Sequence, residues 1–329
     1  MGPKKILITG GAGFIGYYIT KELLSRDIEP IIYDAFLNYI PPLESRYAPY
    51  LEYRLNGIKN KVHIIRGDIR NRGYLIKALK ETEPDTIIHL AAIPIAQASN
   101  QFSEEAMQIN LNGTVTVLEC IRVASSVKRF IYASSSFIYG DFIREPADEN
   151  HPTSPIDIYG GTKLSGEILT KAFGKKYGIE YSILRPSAVY GPTDANRRVT
   201  QIFVENAILG KPIFLHNGGI DKVDFTYVKD TAHGFVLAAL SEKAKNETFN
   251  ITYGSARSTK EFADILKRIF PELRIEEGLP AERRPKRGSM DIRKAKRLLG
   301  YEPQYDLEKG VSEYVDFIIS NNFINDDRG

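Results

Sequence analysis

The chain has 329 residues, with 44 Lys+Arg against 41 Asp+Glu for a formal net charge of +3, and 43% hydrophobic against 26% charged residues. That balance excludes disorder of the whole chain and is too weakly basic to argue for nucleic acid, while the length suits about two domains. No stretch reaches the roughly 18 apolar residues of a membrane span, and a single cysteine, Cys120, excludes an internal disulfide framework and points to a reducing cytoplasm.

Residues 5–9 (KILIT) read as a buried strand, and glycines then lead into a helix predicted over 14–25. Further short β-rich runs fall at 30–34, 62–66, 86–90, 129–133 and 181–185. None alternates polar with apolar residues, which is the pattern of strands covered on both faces. Helical stretches lie between them, notably 104–123 and 159–176. This alternation predicts an α/β fold, a doubly wound parallel Rossmann sheet. After Gly191 the spacing becomes irregular, with helices predicted over 199–209, 231–241, 259–269 and 307–321. The expected division is a dinucleotide-binding domain over 1–185 and a smaller α/β substrate lobe over 186–329, with some later segments returning to the first. The connection over 36–60 is long for a β–α link; Pro41, Pro42 and its tyrosines and arginines predict an ordered insertion, helical from about Leu43.

Thr9-Gly10-Gly11-Ala12-Gly13-Phe14-Ile15-Gly16 sits between the first strand and the first helix. Glycines allow a tight turn and let the backbone approach a pyrophosphate resting on the positive helix N-terminus. Chance produces such triplets among 26 glycines, but Asp34 ends the second strand 18 positions after Gly16. A carboxylate there takes the adenosine ribose hydroxyls and repels a 2′-phosphate, which favours NAD over NADP. Asp68 and Ile69 follow the third strand and are placed to cover the adenine. Ala91 and Ala92 follow the fourth, where small residues let the backbone lie against the cofactor. The ends of successive parallel strands converge on one crevice.

Tyr159 and Lys163 share one helix face at a spacing of four. The same spacing recurs at Tyr17/Lys21 and Tyr305/Lys309, but only Tyr159 lies downstream of a serine run, Ser134-Ser135-Ser136, at the end of a predicted central strand. A tyrosine with its ordinary pKa of about 10 is a poor base at neutral pH. A nearby ammonium and a cationic nicotinamide both favour phenolate; lowering the pKa by about 3 units takes roughly 4 kcal/mol. A serine hydroxyl can then bond the substrate alcohol and relay its proton while hydride passes to the cofactor.

Along nearly its whole length the chain resembles the extended short-chain dehydrogenases/reductases of the nucleotide-sugar epimerase/dehydratase group. The matching segments include the glycine turn, 67–70, 89–92, 110–114, 134–140, 159–163, 185–192 and 224–228. The resemblance implies that Ser135 holds the catalytic Ser/Thr position, that Tyr159 is the base, and that Lys163 binds the nicotinamide ribose. It also implies that Asn110 belongs to the cofactor site and that helices 104–123 and 159–176 pair into the four-helix bundle of a homodimer. In the 4,6-dehydratases of the family an Asp-Glu pair follows the catalytic residue, and similar decarboxylases carry Glu at the second position. Here those positions are Ser136 and Phe137, and a phenyl ring cannot abstract a C5 proton. The reaction left is oxidation at C4, turning of the 4-keto sugar, and return of hydride to its other face: an NAD-dependent nucleotide-sugar 4-epimerase. A dehydratase or 4-reductase of the same fold, and a non-catalytic dinucleotide-sensing protein, are the alternatives.

On the substrate side, Ser135 and Ser136 are expected at the sugar. Family members usually have Asn where Ala188 stands and Arg where Val223 stands, both commonly at the diphosphate. Lys222 or the cluster Arg283-Arg284-Pro285-Lys286-Arg287 is expected to replace that charge, with Arg284 the best single candidate. The insertion resembles an arginine-rich helix of the hexuronate 4-epimerases, a plain surface helix being the other reading. The histidines at 63, 89, 151, 216 and 233 show no metal-like clustering with one another or with Cys120, so no catalytic metal is expected.

Overall fold

The computed structural model describes residues 5–39, 46–279 and 284–324; Pro41, Pro42, Leu43 and Arg283 lie outside them. Its centre is a sheet of seven strands: β1 (Lys5–Thr9), β2 (Glu29–Asp34), β3 (His63–Arg66), β4 (Thr86–His89), β5 (Arg129–Ala133), β6 (Glu180–Pro186) and a seventh strand over Glu247–Ile251. From one edge the order is seventh, β6, β5, β4, β1, β2, β3, and every pairing is parallel. The missing polar alternation now has its cause. Leu7, Ile87, Phe130 and Ile183 enter one core, while their neighbours Ile8, Ile88, Ile131 and Leu184 enter another on the opposite face. Both faces of these four strands are dry, so these successive residues are apolar.

Helix α1 (Phe14–Leu24) follows the glycine turn, and α2 (Tyr47–Asn56) lies in the insertion. It is not a surface helix: Tyr50 is fully buried in one core with Phe203, Phe262 and Tyr314, and Arg54 is 2% exposed. Helix α3 (Arg72–Thr82), α4 (Ala96–Gln101) and the seventh strand escape the sequence pattern because they are short or carry mixed faces. The helix expected over 104–123 is broken into α5 (Ser103–Ala106), a π-turn over Met107–Gly113, and α6 (Thr114–Val123). Helix α7 (Ile158–Tyr177) is capped at its start by Asp157, which accepts from Gly160 N at 2.7 Å, and ends on Gly178 in the left-handed conformation. Beyond residue 185, the helix Val228–Leu240 packs on α1 and the seventh strand joins the main sheet. No described helix is long and apolar enough to cross a membrane.

One buried polar group fixes α7 against the sheet. Glu167 on α7 takes a two-point ion pair from Arg185 of β6 (2.8 and 2.7 Å) and a hydrogen bond from Ser134 Oγ (2.5 Å), with both charges at most 4% exposed. Breaking one half of a buried pair leaves an uncompensated charge. Glu167→Gln should therefore lower unfolding free energy by about 3–5 kcal/mol in urea denaturation; a loss below about 1 kcal/mol would remove the pair from this anchoring role.

Candidate active site

Strand order reverses between β1 and β4, and the crevice at their carboxyl ends is where a doubly wound sheet takes its ligand. Gly10, Gly13, Phe14, Ile15, Gly16, Asp34, Asp68, Ile69, Ala91 and Ala92 all line this crevice. Gly10 turns at φ +70°, and a Cβ there would stand 2.8 Å from Ala91 N, so only glycine lets the turn close onto β4. The cleared backbone ahead of the α1 N-terminus is shaped for a pyrophosphate. Asp34 is fixed by Ala12 N (3.0 Å) and Phe36 N (2.7 Å); burial pushes its carboxyl up, and Arg54 opposes the shift. The donor set fits a dinucleotide with a free ribose diol.

Asn110 and Asp68 are committed elsewhere in part. Asn110 does not line the crevice: its carboxamide accepts from Ile93 N (2.8 Å) and donates to Ile93 O and Thr162 Oγ1 (both 3.3 Å), so it braces the crevice wall against α7. The Asp68 carboxylate is gripped by Arg70, which holds its pKa below the usual range. Sequence reasoning missed two arginines that also line the crevice. Arg54 donates to Ala12 O (3.0 Å) in the glycine turn and to Thr193 O (2.7 Å) in the second lobe. Arg198, paired with Asp194 at 2.8 Å, reaches toward Pro94 O.

Tyr159 and Lys163 sit on α7, and Ser135 follows β5. The structure brings all three together. Ser135 Oγ accepts from Phe137 N at 3.3 Å and lies near enough to the Tyr159 hydroxyl to favour its phenolate. Lys163 Nζ donates to Ala133 O at 2.8 Å and stands 5.9 Å from the Tyr159 ring centre. Burial pushes the Lys163 ammonium down to about 8. The Tyr159 phenol is raised by burial, and Arg198, Ser135 and Arg287 pull it back. The opposing cations are thus arginines from beyond residue 185, which no spacing marks for that role.

Ser136 Oγ is buried between Ser187 Oγ (3.1 Å) and Arg287 Nη1 (3.0 Å). The Phe137 ring stands edge-on to Tyr159, centres 5.6 Å apart, and the Arg287 guanidinium lies 4.2 Å over the Phe137 ring centre. Of the basic cluster, Arg284 is exposed and Arg287 reaches the serine run. Lys222 is exposed in a two-residue strand and does not line the crevice. Val223, half-buried, faces Arg257 across that pairing, and Arg257 is taken by Glu261 and Glu308. Ala188 turns at φ +37° beside Ser187. Among the described residues no group of three or more His, Cys, Asp or Glu side chains is arranged to hold a metal.

Residues 6–252 match the model of the NAD dependent epimerase/dehydratase family. A putative UDP-glucose 4-epimerase of Methanocaldococcus jannaschii is 32% identical, covering 96% of this chain and 99% of its own. A dTDP-glucose 4,6-dehydratase of Xanthomonas campestris is 27% identical over 96% of this chain and 93% of its own. Among solved structures, the UDP-glucose 4-epimerase of Thermotoga maritima with UDP-glucose superposes with a TM-score of 0.87 at 27% identity, covering 97% and 99% of the two chains. The UDP-glucuronic acid 4-epimerase of Bacillus cereus, in complex with UDP-glucuronic acid and NAD, gives 0.87 at 29% identity over 96% and 99%.

Two outcomes follow from the geometry. With its pKa above the ordinary 10, Tyr159 should be neutral in cofactor-free protein below about pH 9. The near-ultraviolet difference spectrum between the wild type and Tyr159→Phe should then show no tyrosinate band; a band lost in the variant would contradict this. Asp34→Ala should weaken NAD binding about 10- to 100-fold by calorimetry, through loss of charge-assisted bonds to the ribose, and equal affinity would count against that contact.

Proposed function

The chain belongs to the NAD-dependent epimerase/dehydratase family, and from that membership we propose that it inverts C4 of a nucleoside-diphosphate sugar through a 4-keto sugar. Its cofactor is NAD, as in the Bacillus cereus neighbour. When bound, NAD supplies a reversible hydride acceptor. The protein's own part is proton handling and orientation. Ser135 bonds the C4 hydroxyl, and Tyr159 beside it takes the proton and later returns it to O4. Lys163, held by Ala133 O, orients the nicotinamide ribose and lends its charge to the phenolate. Arg198 and Arg287 favour the phenolate in the same sense.

The observation that carries this reading is what flanks the Ser135–Tyr159 pair. Phe137 lies against the phenol, where elimination of water needs an acid or base. Asp157, the carboxylate that acts on Tyr159 through space, is engaged in capping α7. A site with one proton-transferring pair suits redox inversion at one carbon, without loss of a leaving group.

The proposed division is a cofactor domain over 1–185 and a substrate lobe over 186–329, with the helix Val228–Leu240 and the strand Glu247–Ile251 returning to the first. A homodimer is supported by exposed apolar side chains on the two helical segments expected to pair: Met107, Val123, Ile168 and Tyr177, from 44% to 59% exposed. Cys120 is buried and free, which suits a cytoplasmic setting.

Incubation with a panel of UDP-, GDP-, CDP- and dTDP-sugars, followed by NMR of the products, should yield a C4 epimer from at least one donor without net consumption of NAD. Tyr159→Phe should reduce that turnover by about 10²- to 10⁴-fold. Loss of water or carbon dioxide from the sugar, or no epimer from any donor, would overturn the reading.

A further inference from the structure

Arg287 enters the serine run from a strap, residues 284–290, that is pinned along its backbone. Lys286 N donates to Asp141 Oδ1 and Phe142 N to Lys286 O, both at 2.8 Å. Ser289 N donates to Glu145 Oε1 at 2.7 Å, and Met290 N to the buried Asp224 at 3.0 Å. The arginine is therefore aimed rather than loose. Its guanidinium rests on Phe137, Nη1 donates to Ser136, and Nε is buried with no hydrogen-bond partner. Among the described residues it has no ion-pair partner. Burial and the neighbouring Arg284 push it down to about 10, with Asp157 and Tyr159 opposing from a distance. A half-buried cation without an acid is unfavourable until an anion arrives.

We propose that Arg287 receives a carboxylate carried by the sugar itself, so that the substrate is a nucleoside-diphosphate hexuronate; this rests on the C4-epimerase reading. Position is the first reason. Arg287 touches the residue after Ser135 and, through Phe137, borders Tyr159, the surroundings of the reacting C4. A hexuronate carboxylate hangs from C5, next to C4, whereas the diphosphate hangs from C1 across the ring. Chemistry is the second. The unpaired Nε–H belongs to a planar fork of donors that matches a carboxylate edge, and the Ser136 hydroxyl stands beside it. Phe137 is the third. An acid at that position would pair with Arg287 and repel a uronate, while a phenyl ring holds the guanidinium by stacking and leaves its charge free. Arg284, on the exposed side of the strap, remains for the diphosphate.

The test measures calorimetric affinities of UDP-glucuronate and UDP-glucose for the NAD-loaded protein. In the wild type the uronate should bind about 100-fold more tightly. Arg287→Met keeps the stem against Phe137 and should bring the ratio close to one, while Arg287→Lys should retain part of it; thermal melting checks that both variants fold. Equal affinities in the wild type, a ratio unmoved by Arg287→Met, an equal loss for both donors, or no saturable binding of the uronate would each overturn the proposal. The same samples are assayed by NMR for C4 epimers. A uronate preference that depends on Arg287 without any epimer would sink the reaction and keep the carboxylate site. Epimerisation of UDP-glucose with no uronate preference would do the reverse.

Discussion

Helix α7 carries Tyr159 and Lys163, and its height above the sheet is fixed by the Arg185–Glu167 pair. Glu167 lies eight residues beyond Tyr159 on that helix, while Ser134, which also bonds Glu167, is the immediate neighbour of Ser135. A single carboxylate therefore sets the distance between the loop after β5 and the helix that faces it. Tyr139 extends the network by accepting from Arg185 and donating to Asn250 on the seventh strand. Below the reactive end of α7, Gly166 removes the side chain that would collide with the Tyr132 hydroxyl. Close approach and ion pairing act together: without the glycine the helix would ride too high for the pair to form.

The electrostatics above this anchor are incomplete by design of the fold. Tyr159 is buried enough to prefer its neutral form, and Lys163 is itself desolvated. The second lobe contributes Arg198 and Arg287 to the same phenol, from two different loops. A cationic ring arriving against Tyr159 adds to a field that both lobes have already begun to build.

What was legible in the sequence depended on how local its cause was. The glycine turn and Asp34 could be read because backbone geometry admits few residues there and the spacing spans one β–α–β unit. That Tyr159, Lys163 and Ser135 come together could be read from the serine run at a strand end and the Tyr–Lys spacing on one helix face. Arg54, Arg198 and Arg287 were not, since each acts across more than a hundred residues of chain or through a loop whose path only tertiary packing sets. The π-turn at Met107–Gly113 has no periodic signature, and it is what lets Asn110 face Ile93 and Thr162. The seventh strand, Glu-Thr-Phe-Asn-Ile, mixes polar with apolar residues and is read only from its pairing beside β6.

Arg54 hydrogen-bonds the glycine turn with one nitrogen and the second lobe with another, from a helix inside a connection that most β–α units span in a few residues. The insertion is thus a shared wall of two compartments. Anyone shortening this scaffold, or transplanting the part after residue 185 onto another sheet, would have to carry Tyr47–Asn56 across as part of the crevice wall.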